Sequence, residues 1–344
     1  MGKLIKNILL VLLACACIFP LVGCNSKQNS ANNSDKAFTK PPTVAEVKKV
    51  NLPENAYPLY VNEQKHLILA LVSVDSQKSS ILFGKDASHL NKIMEIDYPA
   101  AKLFADPLNE DKMYLLGFGV ANKTNAVYFS KDAGNNWNRI DAPANFSTVG
   151  FSYDGFVYFA GPGEKMPCYI YKSDDNQHFT EVYEAELNHD IMSLTFNPDN
   201  QKIIWTFGDL GIFISKDAGK TFKNLNVSDR ALTDGALDPY NYNVVYVGLG
   251  NYGLFKVKDD GTVQGVYTSK QPTERFISVL TDFTHKITYA LDDNGTVFVI
   301  LKGNVYKLGT SLNSAPLGLS EDGENNLYVQ YDGYYYRIEL NTPS

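Results

Sequence analysis

Few side chains in this 344-residue sequence are spaced for chemistry. There are four cysteines: Cys15 and Cys17 fall in the apolar N-terminal stretch, and Cys24 follows it. Cys168 is left alone in the body of the chain, so no internal disulfide can form there. It precedes the alternating run Tyr169-Ile170-Tyr171, which reads as a packed strand position rather than a nucleophile. The histidines His66, His89, His178, His189 and His285 show no paired ligand spacing, so neither a metal nor another cofactor is expected. The oxygen-rich runs Asp259-Asp260-Gly261 and Asp292-Asp293-Asn294-Gly295 lack a calcium loop's closing glutamate and read as solvated turns. With 38 acidic residues, carboxylate pairs for glycosidic hydrolysis can always be nominated, but no spacing singles one out. Only Arg139, Arg230, Arg275 and Arg337 carry a guanidinium, and the formal net charge is −7. A nucleic-acid partner is therefore not expected, because neutralising phosphates needs a basic face.

The remaining cysteine, Cys24, has the most specific surroundings. Lys3 and Lys6 precede an apolar stretch from Ile8 to Phe19, too short for a comfortable transmembrane span. Leu21-Val22-Gly23-Cys24 follows and resembles the lipobox of bacterial lipoproteins. That resemblance implies a signal peptide over residues 1–23 and a diacylglyceryl-modified Cys24 as the mature first residue. The two acyl chains of that group, palmitate among the acids expected, make a durable anchor where one chain does not. Residues 24–42, rich in Ser, Asn, Lys and Gln, are too polar to build a core and read as a disordered tether. A tether of this length spans roughly 20–25 Å root-mean-square. The expected location is the extracytoplasmic side of a cell membrane, lipid-anchored.

The body of the chain, residues 43–344, repeats itself. Val127 to Trp137 and Ile212 to Phe222 are near copies, Ile170 to Phe179 is a shortened one, and Ile81 to Leu90 and Leu254 to Val263 are decayed ones. A last relic lies at Val297 to Gly303. Their aspartates Asp86, Asp132, Asp175, Asp217 and Asp259 are spaced 46, 43, 42 and 42 residues apart. In each segment an apolar alternating strand meets a reversal, where an Asp carboxylate can accept the turn's own amides and a Ser hydroxyl can assist. A Gly supplies positive φ, and an aromatic packs back under the hairpin. Upstream, Phe104-Ala105-Asp106-Pro107, Phe196-Asn197-Pro198 and Leu237-Asp238-Pro239 each end one strand and start a turn before a second apolar run. Each unit is thus four short antiparallel strands, a propeller blade.

The hairpin segments resemble the Asp-box (BNR) repeat, Ser-x-Asp-x-Gly-x-x-Trp. Ser130, Asp132, Gly134 and Trp137 match it in full, Ser215, Asp217, Gly219 and Phe222 nearly so, and Ser173, Asp175 and Phe179 in part. Similar repeats occur in sialidases, sortilin-type receptors, xyloglucan-degrading glycosidases and photosystem II assembly factors. The resemblance implies an all-β fold, a single β-propeller, over about residues 45–340. The spacing predicts seven four-stranded blades, and six or eight would also fit. The last blade is one strand short after Tyr334 to Ile338, and Val44 to Leu52 can supply it, closing the ring with an N-terminal strand. The sialidase motifs are missing: no Arg precedes Arg139, and Arg337-Ile338 lies in the final strand without a following Pro.

Function does not follow from such a fold. In a propeller, the loops joining strands two to three and four to one emerge opposite the Asp-box hairpins. Those loops are the candidate binding surface, with Lys123, Glu164 and Lys165 in the longest two, Asp209 in a third and Tyr252 in a fourth. The expectation is a monomeric, non-catalytic binding or assembly module that recognises a protein or a glycan there. The alternative is a glycoside hydrolase using paired carboxylates in the channel.

Overall fold

The computed structural model describes residues 37–119, 124–162, 168–184, 190–227, 232, 234–249, 252–269, 274–310 and 312–341. Cys24 and the signal segment lie outside them. So do Lys123, Glu164 and Lys165.

The described chain is all β, in seven antiparallel sheets of four strands. The first strand is β1 (Thr43–Asn51). Blade one holds β2 (Ala56–Asn62), β3 (Leu67–Ser73), β4 (Ser79–Gly84) and β5 (Asn91–Ile96). Blade two holds β6 (Ala100–Asp106), β7 (Asn109–Phe118), β8 (Ala126–Ser130) and β9 (Asn138–Ile140). Blade three holds β10 (Thr148–Phe151), β11 (Val157–Pro162), β12 (Cys168–Ser173) and β13 (Thr180–Glu184). Blade four holds β14 (Ile191–Phe196), β15 (Ile204–Gly208), β16 (Gly211–Ser215) and β17 (Lys223–Asn224). Blade five holds β18 (Gly235–Asp238), β19 (Asn241–Leu249), β20 (Gly253–Lys258) and β21 (Val263–Thr268). Blade six holds β22 (Phe276–Asp282), β23 (Ile287–Asp292), β24 (Val297–Leu301) and β25 (Asn304–Lys307). Blade seven holds β26 (Gly318–Glu321), β27 (Asn326–Tyr331) and β28 (Tyr334–Asn341), and β1 completes it.

The ring closes as the sequence predicts. Strand β1 pairs antiparallel with β28 from Thr43 opposite Asn341 to Asn51 opposite Tyr334, so the last blade has no bare edge there. A clasp of side chains reinforces the closure. Arg337 donates to Glu63 Oε2 (2.9 Å) in blade one and to Glu46 Oε2 (3.2 Å) in β1, while the Tyr335 hydroxyl donates to Glu63 Oε1 (2.5 Å).

No blade has a core of its own. In β3, Leu67, Leu69 and Leu71 pack toward blade two, and Ile68 and Ala70 pack toward blade seven. A strand buried on both faces reads as a continuous apolar run, and period-two geometry divides it between two neighbours. The same division recurs around the ring, and the described apolar clusters sit between adjacent blades. Cys168 is fully buried in the cluster between blades three and four. Burial pushes its thiol up to about 12, which keeps it protonated and inert.

The ordered chain reaches further toward the N terminus than its polar composition suggests. Phe38 is buried and stacked on His285, with ring centroids 4.6 Å apart, and its amide donates to the His285 carbonyl (2.9 Å). One apolar residue in a polar stretch is enough, because blade six offers it a flat imidazole and a free carbonyl.

Candidate functional site

The Ser-x-Asp hairpins join the third and fourth strands of their blades, as expected. Ser130 Oγ accepts the Gly134 amide (2.8 Å) and donates to Asp132 Oδ1 (2.9 Å). Asp132 Oδ1 in turn accepts the Asn136 amide (2.9 Å). Ser215, Asp217, Gly219 and Thr221 repeat the pattern with the corresponding distances at 2.8, 2.8 and 2.9 Å. In the short copy, Asp175 Oδ1 accepts the amides of Gln177 (2.9 Å) and His178 (2.8 Å), and Ser173 Oγ accepts that of Asn176 (2.9 Å). These bonds hold the carboxylates below their ordinary range: the side chains of Asn136 and Thr221 act first on Asp132 and Asp217, and the His178 amide on Asp175.

The hairpins are stapled to the blade before them as well as to themselves. Trp137 Nε1 donates to the Gly134 carbonyl (2.9 Å), and its ring packs on the cluster between blades one and two. Phe222 lies 4.8 Å from Tyr183 of blade three, and Phe179 packs on the cluster between blades two and three, 5.4 Å from Phe159 of its own blade. Ala133 and Ala218 take positive φ (54° and 63°) ahead of Gly134 and Gly219 (85° and 89°). The Ala133 and Ala218 amides donate to the carbonyls of Asp111, near the start of β7, and of Lys202, in the first turn of blade four (both 3.0 Å). These side chains therefore build the scaffold, and their carboxylates are occupied.

The turns joining first and second strands open on the same face as the hairpins. Their Asp-Pro and Asn-Pro sequences form a common bond: Asp106, Asn197 and Asp238 each accept, on Oδ1, the amide two residues on (2.9 Å in all three). Between them the channel narrows to a cavity of about 70 Å³. Its walls are the inner strands of blades two to six, from Leu103 and Phe104 round to Leu280 and Phe283, and no carboxylate lines it. Larger grooves lie further out on the hairpin face. One of about 620 Å³ spans blades four to six, and one of about 460 Å³ lies between blades one and two.

At the mouth of the channel, Asp282, Glu321 and Asp322 come together. Glu321 is 8% exposed, and its Oε1 has no hydrogen-bond partner among the described residues. Burial first, then the charges of Asp282, Asp322 and Glu110, hold this carboxyl well above its ordinary range, against the pull of the Gly323 amide. Asp282 is bound to His285 Nδ1 (2.5 Å), and Asp322 accepts from Tyr328 (3.0 Å) and Asn326 (2.7 Å). Among the described residues, no group of three His, Cys, Asp or Glu side chains is arranged to hold a metal ion.

On the opposite face two candidate binding residues are described. Asp209 accepts the Asp190 amide (2.8 Å) and donates its own amide to the Asp190 carbonyl (3.3 Å), so it fastens a loop to the inner strand of blade four. Tyr252 is 54% exposed in the turn between β19 and β20. Asp292 accepts the amides of Asn294 (3.0 Å) and Thr296 (2.7 Å), the plain turn expected of its sequence.

No protein-family model matches the sequence, and no curated protein matches it. Similarity is found at the level of structure. YCF48 bound to D1 peptide superposes with a TM-score of 0.62 at 10% identity, over 88% of this chain and 100% of that one. The GH74 xyloglucanase from Xanthomonas campestris gives 0.61 at 14%, over 88% of this chain and 54% of that one. A streptogramin B lyase gives 0.62 at 14%, over 86% and 98%. At such identities the likeness establishes the fold, a seven-bladed β-propeller, and leaves function to the residues.

Proposed function

We propose that this chain is an extracytoplasmic recognition module, held to a membrane by lipid on Cys24. Its partner, a protein or a glycan, binds the face opposite the Ser-x-Asp hairpins. The observation that carries this reading is where the chain joins the ring. Thr43 lies at the hairpin end of blade seven, opposite Asn341, and Phe38 is fixed to His285 on that same face. A tether from Cys24 would therefore leave from the hairpin face. Residues 25–36 would span about 20 Å root-mean-square, so the opposite face, with Tyr252, would point away from the lipid. An exposed aromatic beside polar groups suits recognition. One structural neighbour was solved with a peptide bound, which agrees with a macromolecular ligand.

The hydrolase alternative receives less support. It requires an acid and a base, or a nucleophile, on either side of a cleft wide enough for a sugar. The channel constriction offers about 70 Å³, and of the carboxyls at its mouth Asp282 is bound to His285, Asp322 to Tyr328 and Asn326, and Glu321 is buried.

The reading is tested in two steps. A Cys24→Ser chain should lose metabolic palmitate label and leave the membrane fraction; retention in the membrane would contradict the anchor. The full-length chain, purified with its membranes after crosslinking, should carry one specific partner that Tyr252→Ala releases. Recovery of nonspecific background alone would contradict recognition.

A further inference from the structure

The groove across blades four to six is made by turns that lie far apart in the chain. Asn200 comes from the first turn of blade four, Tyr240 from that of blade five with Asn241 and Asn243 at the start of β19, and Lys286 from the first turn of blade six. Its volume of about 620 Å³ is within the range of small-ligand sites, about 300–1,000 Å³.

The three asparagines present one chemistry. Each uses its carbonyl oxygen within the turns: Asn200 accepts the Lys202 amide (3.2 Å), Asn241 the Asn243 amide (3.1 Å), and Asn243 the Asn197 side chain (3.3 Å). Their Nδ2 groups have no partner among the described residues, and all three side chains are exposed. Fixing the carbonyl fixes the amide plane, so these donors are held in place before any ligand arrives. Tyr240 is 43% exposed beside them, with Lys286 Nζ 5.8 Å from its ring centre. Asp199 supplies an acceptor on the rim.

The charges decide against an anion such as phosphate. Lys216 is neutralised by Asp259 at 2.7 Å, so Lys286 is left as a single cation in a groove that also holds the carboxylate of Asp199. The lining offers little to apolar peptide side chains, with Ile203 and Pro239 its aliphatic members. What remains is a flat aromatic face, a set of fixed N–H donors and the acceptors of Asp199 and Asp259. A pyranose chain complements that set: its C–H face stacks on tyrosine, and its carbonyl and hydroxyl oxygens accept from the amides.

We infer that this groove is a second binding site, on the hairpin face, for a glycan rich in carbonyl acceptors, such as an N-acetylhexosamine chain. It is separate from the surface that Tyr252 marks, and it does not depend on the lipid anchor.

The test uses the full-length chain in a detergent without a sugar headgroup, titrated calorimetrically with chitotetraose and with maltotetraose. Chitotetraose should bind about tenfold tighter than maltotetraose, which offers hydroxyls alone. Tyr240→Ala should weaken binding about tenfold through the lost stacking face. Asn241→Asp keeps the turn's acceptor, removes the donor and should weaken binding about three- to tenfold. Melting curves of both variants should overlay the parent's, since neither side chain is buried. Absence of heat with chitotetraose, equal affinity for the two sugars, or unchanged binding in both variants would each overturn the site. None of these results would bear on partner capture through Tyr252→Ala.

Discussion

Single residues in the hairpins do structural work that their chemistry alone does not announce. Gly219 is the sharpest case. Its φ is +89°, and a Cβ there would meet Val182 Cγ1 of the preceding blade at 2.7 Å. Gly219→Ala should cost about 1–3 kcal/mol, from left-handed strain and overpacking together. Ser215→Ala should cost a similar ~1–3 kcal/mol, because it orphans the buried Gly219 amide. Urea unfolding followed by fluorescence measures both; changes below about 0.5 kcal/mol, the usual surface value, would show that the staple does not matter. The sequence shows these roles where they are local, and the hairpin bonds are the ones that Ser-x-Asp-x-Gly spacing implies. It hides them where the partner is remote. Asp209 looks like a loop-tip carboxylate, but its oxygen holds the Asp190 amide of the same blade. Phe38 looks stranded in a polar tether, and its partner His285 lies five blades further along the chain.

At the level of elements, the first turns of the blades show how a local rule yields a non-local surface. Asp106, Asn197 and Asp238 make the same i to i+2 bond, which the Asp-Pro and Asn-Pro pairs signal on their own. The groove those turns enclose cannot be read the same way, because its walls are a blade apart in sequence and meet only when the ring forms. The acidic channel mouth is similar. Glu321 ends β26 as an ordinary strand residue, and only closure of the ring brings Asp282 and Glu110 to it. Its carboxyl is held above the ordinary 4.5, so the folded state keeps a proton that the unfolded chain releases. The contribution of this group to stability should therefore fall as pH rises from about 4.5 through the folded-state value. Glu321→Gln should flatten that decline and raise the melting temperature at neutral pH. A variant whose melting temperature tracks the parent's at every pH would show that the carboxyl is solvated.

Over the whole molecule, the apolar clusters lie between blades, so stability depends on an unbroken ring. The fold was legible because four-strand units recur at 42 to 46 residues and the last unit lacks one strand that the N-terminal segment can supply. The structure places that strand at β1, clasped by Arg337 between Glu46 and Glu63. Removing residues 25–51 should expose the edge of β28, lower the melting temperature and give soluble oligomers in light scattering. A monomer of unchanged melting temperature would show that the clasp is dispensable. The candidate binding surfaces were less legible, since a loop's length and composition do not show which bonds its polar atoms make. The central claim is that this propeller recognises a partner on the face turned away from its tether. Site-specific photocrosslinking in intact cells tests it most directly, with the probe placed at Tyr252 on that face or at Lys131 on a hairpin tip. The account predicts a discrete crosslinked band from position 252 and none of the same mass from position 131. No band from 252, or the same band from both positions, would contradict it.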